Sequence, residues 1–363
     1  GMARILIIRF SALGDVAMTI PVVHSLAVQY PQLEITVLSR AVWQPLFQGL
    51  PANVSFIGAD LTGKHKGLWG LNTLYSELKA KSFDYVADFH HVLRSKYLCL
   101  RFRLANKPVA SISTKYLCLR FRLANIPVAS IYKGRVGKEK LVRRRHKVLE
   151  NQKSSFRRYA DVLEKLGFPV LLNFSSIYGD EKGNFAEIEP VTGAKDNLKW
   201  IGIAPFAKHM GKIYPIELQE QVVAHFATDP KVKVFLFGGG KSEQEVFDGW
   251  VAKYPTVVSM IGKLNMRTEL NLMSHLDVML SMDSANMHLA SLVNIPVISV
   301  WGATHPYAGF MGWKQLPVNT VQLDLSCRPC SVYGQKPCWR GDYACLRGIK
   351  PEQVIAKIEG IIN

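Results

Sequence analysis

The chain has 363 residues, 48% of them hydrophobic and 20% charged, a balance that buries a substantial core and excludes a disordered polypeptide. No apolar run approaches the roughly 20 residues that cross a bilayer, and Met2-Ala3-Arg4-Ile5-Leu6-Ile7-Ile8-Arg9 is too short and too quickly charged for a secretory signal, so a cytoplasmic protein is expected. The formal charge is +17, and all of it lies between Arg94 and Arg158, where nineteen Lys or Arg face two acids, Glu139 and Glu150. A uniformly basic nucleic-acid binder would not leave the remainder neutral. The better reading is a local patch for an anionic partner, a phosphorylated lipid, a membrane surface or a nucleic acid, with a merely solvated face as the alternative.

In chain order, Ile5 to Ile8, Ile35 to Leu38, Val54 to Ile57 and Tyr85 to Ala87 read as strands. Amphipathic stretches near Val16 to Tyr30, Val42 to Leu50 and Leu71 to Lys81 read as the helices between them. The basic segment follows, and it contains a tandem repeat: Lys96 to Asn106 recurs as Lys115 to Asn125, at an offset of 19 residues. A single duplication does not build a solenoid, so this is expected to be a local insertion that adds charge rather than fold. Residues 173–197, rich in Gly, Ser, Asp and Glu, read as a linker, placing the boundary near residue 180. Beyond it, strands are expected at Trp200 to Ile203, Val232 to Phe237, Val257 to Ile261, Val278 to Leu280 and Val297 to Val300. Helices near Glu217 to Ala227, Ser242 to Lys253, Thr268 to Ser274 and Asn286 to Leu292 alternate with them, and Pro351 to Asn363 closes the chain as an amphipathic helix. This alternation predicts α/β architecture with two parallel sheets, in domains spanning 1–180 and 181–363, the first carrying the basic segment 94–158.

Candidate chemistry gathers at strand ends, where open α/β sheets bind ligands. The first strand runs into Ser11-Ala12-Leu13-Gly14-Asp15. Gly14 permits close backbone approach, and Asp15 is either a proton acceptor for a bound hydroxyl or the cap of the following helix. In the second half, Asp283-Ser284-Ala285-Asn286-Met287-His288 opens a helix whose free backbone donors and dipole suit a diphosphate without a metal. A carboxylate beside a diphosphate is repulsive, so Asp283 is expected to orient a lysine, cap the helix or bind sugar hydroxyls. Lys208 and Lys212 lie in the loop after the first strand of the second half, placed to neutralise a departing diphosphate. Gly238-Gly239-Gly240 reads as a tight turn. The chain has no Gly-x-x-x-x-Gly-Lys-Ser/Thr and no Gly-x-Gly-x-x-Gly at its first strand-to-helix turn, which counts against nucleoside-triphosphate hydrolysis and nicotinamide chemistry. Cys327, Cys330, Cys338 and Cys345 form a C-x2-C-x7-C-x6-C array, compatible with zinc or with reduced, partly buried thiols.

Together these motifs resemble the heptosyltransferases of bacterial lipopolysaccharide synthesis, glycosyltransferase family 9. Ile5-Leu6-Ile7-Ile8-Arg9-Phe10-Ser11-Ala12-Leu13-Gly14-Asp15 looks like the family's amino-terminal signature, and Lys212-Ile213-Tyr214-Pro215 looks like its Lys-x-Trp-Pro. Asp283 to His288, with Ile295-Pro296 and Trp301-Gly302-Ala303-Thr304-His305-Pro306, is similar to its donor motif. Asp88, Arg94-Ser95 and Lys133-Gly134-Arg135 resemble weaker landmarks.

The resemblance implies a GT-B fold, two Rossmann-like doubly wound parallel-sheet domains facing across a cleft, with the nucleotide-sugar held mainly by the second. It implies an inverting, metal-independent glycosyltransferase with no cofactor, moving heptose or a related sugar from a nucleotide diphosphate, ADP-heptose, to a lipid-linked anionic saccharide. Asp15 becomes the base. Lys212, Lys208 and Asp283 to His288 become the donor site, and Ser11, Gly14, Arg94, Lys133 and Arg135 the acceptor site. The implied setting is cytoplasmic, with peripheral attachment to the inner membrane face as an option. Ala285 stands where the family usually has Gly, and Tyr214 where it has Trp. The alternatives are a related transferase using another sugar, or a noncatalytic nucleotide- or nucleic-acid-binding protein stacking bases on Tyr97, Phe102, Tyr116 and Phe121.

Overall fold

A computed structural model describes residues 2–105 and 126–363. The second repeat copy, with Tyr116, Cys118 and Phe121, lies outside the described residues. The chain divides into two compact units: residues 2–133 with 155–174, and 134–154 with 175–363.

In the first unit, strands β1 (Arg4–Ile8), β2 (Glu34–Arg40), β3 (Val54–Ala59), β4 (Tyr85–Asp88) and β5 (Val128–Ser130) form one sheet in the order β3-β2-β1-β4-β5. Each recorded pairing is parallel. Ile5 to Ile8 are fully buried, as expected for a central strand covered on both faces, where apolar residues run continuously instead of alternating. Leu6, Ile8, Leu38, Leu74, Val86, Leu98 and Phe102 belong to one core, so the helices Gly67–Lys79 and Leu93–Arg103 close one side of this sheet.

The second unit repeats the plan with β6 (Lys199–Ala204), β7 (Val232–Leu236), β8 (Val257–Ser259), β9 (Val278–Met282), β10 (Val297–Val300) and β11 (Thr320–Val321), ordered β11-β10-β9-β6-β7-β8 and again parallel. Its core joins Ile203, Leu280 and Val300 of the sheet to Val222 and Phe226 of the helix Ile216–Ala227 and to Val354 and Ile358 of the final helix, Pro351–Ile362.

Several expectations need correction. The stretch expected as one helix from Val16 to Tyr30 forms two, Leu13–Ala17 and Thr19–Gln29. Residues Ala41–Phe47 form a 3-10 helix with Pro45 inside it; proline lacks the amide that a continued α-helix needs. The contacts divide the chain at 174/175 rather than near residue 180, and the basic stretch is split, since 134–154 belongs to the second unit. Residues 175–197 are not a free linker. Ile188 is fully buried, Asn271 Nδ2 donates to the Asn184 carbonyl at 2.8 Å, and Gly183 N–H donates to Ser274 Oγ at 2.9 Å, so this stretch is bound to the second sheet's covering helix.

The strand orders fix where ligands go. In the first sheet the order in which strands are added reverses between the parallel neighbours β1 and β4; in the second, between β6 and β9. Loops leaving the carboxyl ends of those paired strands diverge to opposite faces and leave a crevice.

Candidate functional site

The first crevice is built by the turn after β1. Leu13–Ala17 is capped by Ala12, so Asp15 is the third residue of the helix rather than its cap. Its Oδ2 accepts from the Ala12 N–H at 3.3 Å and meets Arg9 Nη2 at 3.1 Å, with about a third of the carboxylate side chain (33%) exposed. Arg9 ties the crevice together: Nε donates to the Ser11 carbonyl at 2.6 Å, and Nη1 donates across to the Phe89 carbonyl after β4 at 3.0 Å. Beneath the turn, Tyr159 is buried and donates its hydroxyl to the Asp15 carbonyl at 3.0 Å.

The loop after β4 supplies the opposite wall. Asp88 is buried and its Oδ1 accepts from the N–H groups of His90 and His91, both at 2.9 Å, closing a tight turn. His90 Nδ1 accepts from the Phe10 N–H at 3.4 Å, which joins the two loops. Burial pushes the His90 imidazole down to about 3, and the positive charges of Arg9, Lys133 and Arg94 push the same way. Ser11, Asp15, Arg94 and Lys133 therefore gather around this switch point, while Arg135, exposed at the start of helix Arg135–Val142, belongs to the second unit. Sequence reasoning missed Arg9 and His90; the available signal was a charged residue at the end of a buried apolar strand.

The second crevice is drier. Lys212 sits in the 3-10 turn Met210–Lys212 after β6, and its Nζ lies 3.5 Å from Asp283 Oδ2 after β9, the side chains being 18% and 7% exposed. Of the three roles foreseen for Asp283, orienting a lysine is the one its geometry matches. Tyr214 explains why the lysine loop holds its place: fully buried, it donates its hydroxyl to the Ile349 carbonyl at 2.7 Å, and its own carbonyl accepts from Gln219 Nε2 at 2.7 Å. Burial pushes the Tyr214 phenol well up, so it stays a donor. Lys208 is exposed in the same loop.

Helix Ala285–Leu292 begins beside this pair with Ser284 as its cap in extended backbone. Ser284 Oγ meets Ser281 Oγ at 3.2 Å, so the cap hydroxyl is held by a neighbour while the first-turn amides point out of the helix end. Ala285 and Asn286 lie half-buried at that end, whereas Met287 is fully buried and its N–H already donates to the Ser284 carbonyl at 3.2 Å. His288 is likewise buried.

Arg328 braces the adjoining Trp301 to His305 stretch. It is buried, donating to the carbonyls of Gly302 (2.7 Å), Leu323 (2.7 Å) and Thr304 (3.1 Å) and to Gln322 Oε1 (2.7 Å), and burial lowers it to about 10. The four cysteines line one small cavity with Arg328 and Trp339. Among the described residues, no group of three or more His, Cys, Asp or Glu is arranged to hold a metal ion. Burial raises the Cys330 and Cys345 thiols, the latter to about 11, so in the metal-free chain both stay protonated.

The described part of the basic run is divided between the two units, and several of its charges are engaged within them. Lys138 and Arg158 are buried, over the Phe310 and Tyr132 rings, and Arg101 is engaged with Asn72 and the Tyr75 ring. Phe102 packs against Tyr75 and Phe83 inside the core and so offers no face for stacking bases, and Tyr97 is half-buried against the same core with its hydroxyl donating to Asn72 Oδ1. No described helix is long and apolar enough to cross a membrane.

Two doubly wound parallel sheets, each with a carboxylate–cation pair at its reversal point, define an α/β protein of the GT-B class. The chain belongs to glycosyltransferase family 9 (heptosyltransferase), whose model matches residues 72–337. A curated relative, lipooligosaccharide heptosyltransferase 2 of Campylobacter jejuni, is 26% identical over 170 residues, 46% of this chain and 52% of the relative; the match thus spans about half of that protein's length. A solved glycosyl transferase family 9 structure from Veillonella parvula has a TM-score of 0.72 at 21% identity, covering 99% of this chain and 97% of that one. The E. coli heptosyltransferase WaaC with ADP has a TM-score of 0.65 at 16% identity, covering 98% and 99%. The last two show a shared fold.

Proposed function

We propose that the protein is an inverting glycosyltransferase that moves heptose from ADP-heptose to an inner-core lipopolysaccharide acceptor. The observation that carries this reading is the Lys212–Asp283 pair beside the start of helix Ala285–Leu292 at the β6/β9 reversal. A nucleotide diphosphate is a double anion, and an ammonium group held at a fixed point next to backbone donors suits it. The relatives named for lipooligosaccharide transfer and for a complex with ADP support the choice of nucleotide and acceptor class.

In this mechanism the acceptor hydroxyl oxygen attacks the donor's anomeric carbon from the face opposite the diphosphate, forming the new glycosidic bond. The bond from that carbon to the diphosphate oxygen breaks with its electron pair, and ADP leaves with inverted configuration at the sugar. The hydroxyl proton goes to Asp15. Both recorded contacts of that carboxylate fall on Oδ2, so Oδ1 is the oxygen that receives the proton, and Arg9 holds its direction. Lys212 and the first-turn amides meet the charge that develops on the departing diphosphate, so the reaction has no need of a divalent metal. Ser284 and Asn286 flank the sugar diphosphate, and Arg94 and Lys133 hold anionic groups of the acceptor. The acceptor is lipid-linked, so the enzyme works peripherally at the inner membrane face.

The test is a thermal-shift series of nucleoside diphosphates on the intact chain, joined to a transfer assay with ADP-heptose. ADP should stabilise most, and transfer should continue in excess chelator. Equal stabilisation by every diphosphate would remove the nucleotide assignment, and loss of transfer with chelator would remove the metal-independent step.

A further inference from the structure

The second unit contains a cavity of about 430 Å³ that lies outside the donor crevice, walled by Arg143, Arg144, Lys336, Trp339 and Glu139 over the buried Val142. Its volume is that of a small-molecule pocket rather than of a single ion. The charge inside is lopsided, three cations against one acid. Glu139 reaches only Arg143, at 4.0 Å, and among the described residues no recorded ion pair engages Arg144 or Lys336. Arg144 is nevertheless held, its guanidinium stacked 4.7 Å from the centre of the Trp339 ring. A guanidinium fixed by stacking instead of by a carboxylate keeps its N–H donors for an external oxyanion. Trp339 itself is 50% exposed, a large apolar surface left in water at the edge of a charged pocket.

We propose that this cavity binds a phosphorylated saccharide, its phosphate between Arg143, Arg144 and Lys336 and its ring against the Trp339 indole. A lone phosphate would use the cations and leave both the volume and the indole idle. A sugar ring has an apolar C–H face for the indole and hydroxyls for the polar rim, so the composite ligand matches all three features. The location strengthens the case. Cys330 and Lys336 belong to the loop whose Gly334 lies against the Lys212 methylenes, where an added Cβ would come within 2.8 Å of Lys212 Cγ. One loop thus supports the donor lysine and walls the cavity. That the ligand is the acceptor's own phosphorylated sugar rests on the transferase reading above; the binding does not.

The experiment titrates the intact chain, by tryptophan fluorescence and calorimetry, with glucose 6-phosphate, glucose, inorganic phosphate, ADP, and phosphatidylcholine vesicles containing phosphatidylglycerol. Glucose 6-phosphate should bind roughly tenfold more tightly than inorganic phosphate or glucose, a difference of about 1.4 kcal/mol. Arg144→Ala and Lys336→Ala should each weaken it roughly tenfold, and Trp339→Ala should erase the preference over inorganic phosphate. ADP affinity should be unchanged in all three variants, which also reports that they fold. Inorganic phosphate binding as well as the sugar phosphate would reduce the cavity to an anion patch, and vesicle binding without sugar-phosphate binding would make it a lipid surface. Competition by ADP would fold it into the nucleotide site. Each of these results overturns the proposal. None needs turnover, so failure of the transferase mechanism is read separately, from the transfer assay.

Discussion

Asp15 and Asp283 both lie beside the reversal point of a parallel sheet and both are paired with a cation, but Asp15 sits in the helix after the first strand of its sheet, β1, and Asp283 directly after the fourth strand of the other, β9. They differ in exposure and in the origin of that cation. Asp15 is a third exposed and held by Arg9, from the same turn; Asp283 is nearly buried and meets Lys212, brought from a different strand. A carboxylate that collects a proton from a substrate needs one oxygen facing outward, which the first arrangement leaves. A carboxylate that positions a cation works better where water cannot compete, which the second supplies. The same residue type beside the reversal point of the same kind of sheet thus stands in two settings, a partly exposed carboxylate in one unit and a nearly buried one against a lysine in the other.

The sharpest way to break that contrast is Asp15→Asn, which keeps an acceptor for the Ala12 N–H and removes the proton acceptor. We expect kcat for transfer to fall roughly 1000-fold with ADP affinity intact; comparable activity in the asparagine variant would make Asp15 a helix-end residue only. Next in size is Lys212→Ala, expected to lower kcat roughly 100-fold, about 3 kcal/mol of lost stabilisation of the leaving diphosphate, measured with saturating donor. Asp283→Asn should cost less, roughly tenfold in kcat, because the lysine remains but loses its anchor; a variant faster than the parent would mean that Asp283 only repels the diphosphate. The smallest effect concerns His90. Its imidazole is pushed down to about 3 from an ordinary value of 6.5, chiefly by burial. The unfolded chain therefore takes up a proton that the folded one refuses as pH falls below 6.5. Stability from this group is complete above 6.5 and declines as pH falls towards 3. In His90→Gln, thermal melts between pH 7 and pH 4 should show a shallower acid loss than in the parent, and an identical slope would show that other groups set it.

Much of the fold was legible in the chain. The strands from Ile5, Ile35, Val54, Tyr85, Trp200, Val232, Val257, Val278 and Val297 lie where their apolar runs put them; central strands such as Ile5 to Ile8 and Val278 to Met282, buried on both faces, leave a continuous apolar signature, while the edge strand from Val54 is only partly buried. β5 and β11 were missed: they are short edge strands that pair only with β4 and β10 and, unlike the similarly short β8, do not begin a run as apolar as Val257 to Ile261. The helix break near Met18 and the 3-10 course through Pro45 are backbone details that periodicity cannot resolve. The family resemblance and the strand-end reading named Asp15, Lys212 and Asp283, yet Asp15 was named without its partner Arg9. Nor could the basic run be sorted from sequence: Lys138 and Arg158 count as surface charges there, although the folded chain buries both against aromatic rings.

The order of apolar strands and the residue types at their carboxyl ends were settled by the sequence, because burial pattern and turn chemistry act over a few neighbouring residues. Which charges meet was settled only by tertiary structure. Arg9 finds Phe89 and Lys212 finds Asp283 because a sheet that reverses its strand order sets loops from distant strands side by side. Electrostatic effects follow those interatomic distances and the water excluded between them, neither of which is written in the spacing of residues along the chain.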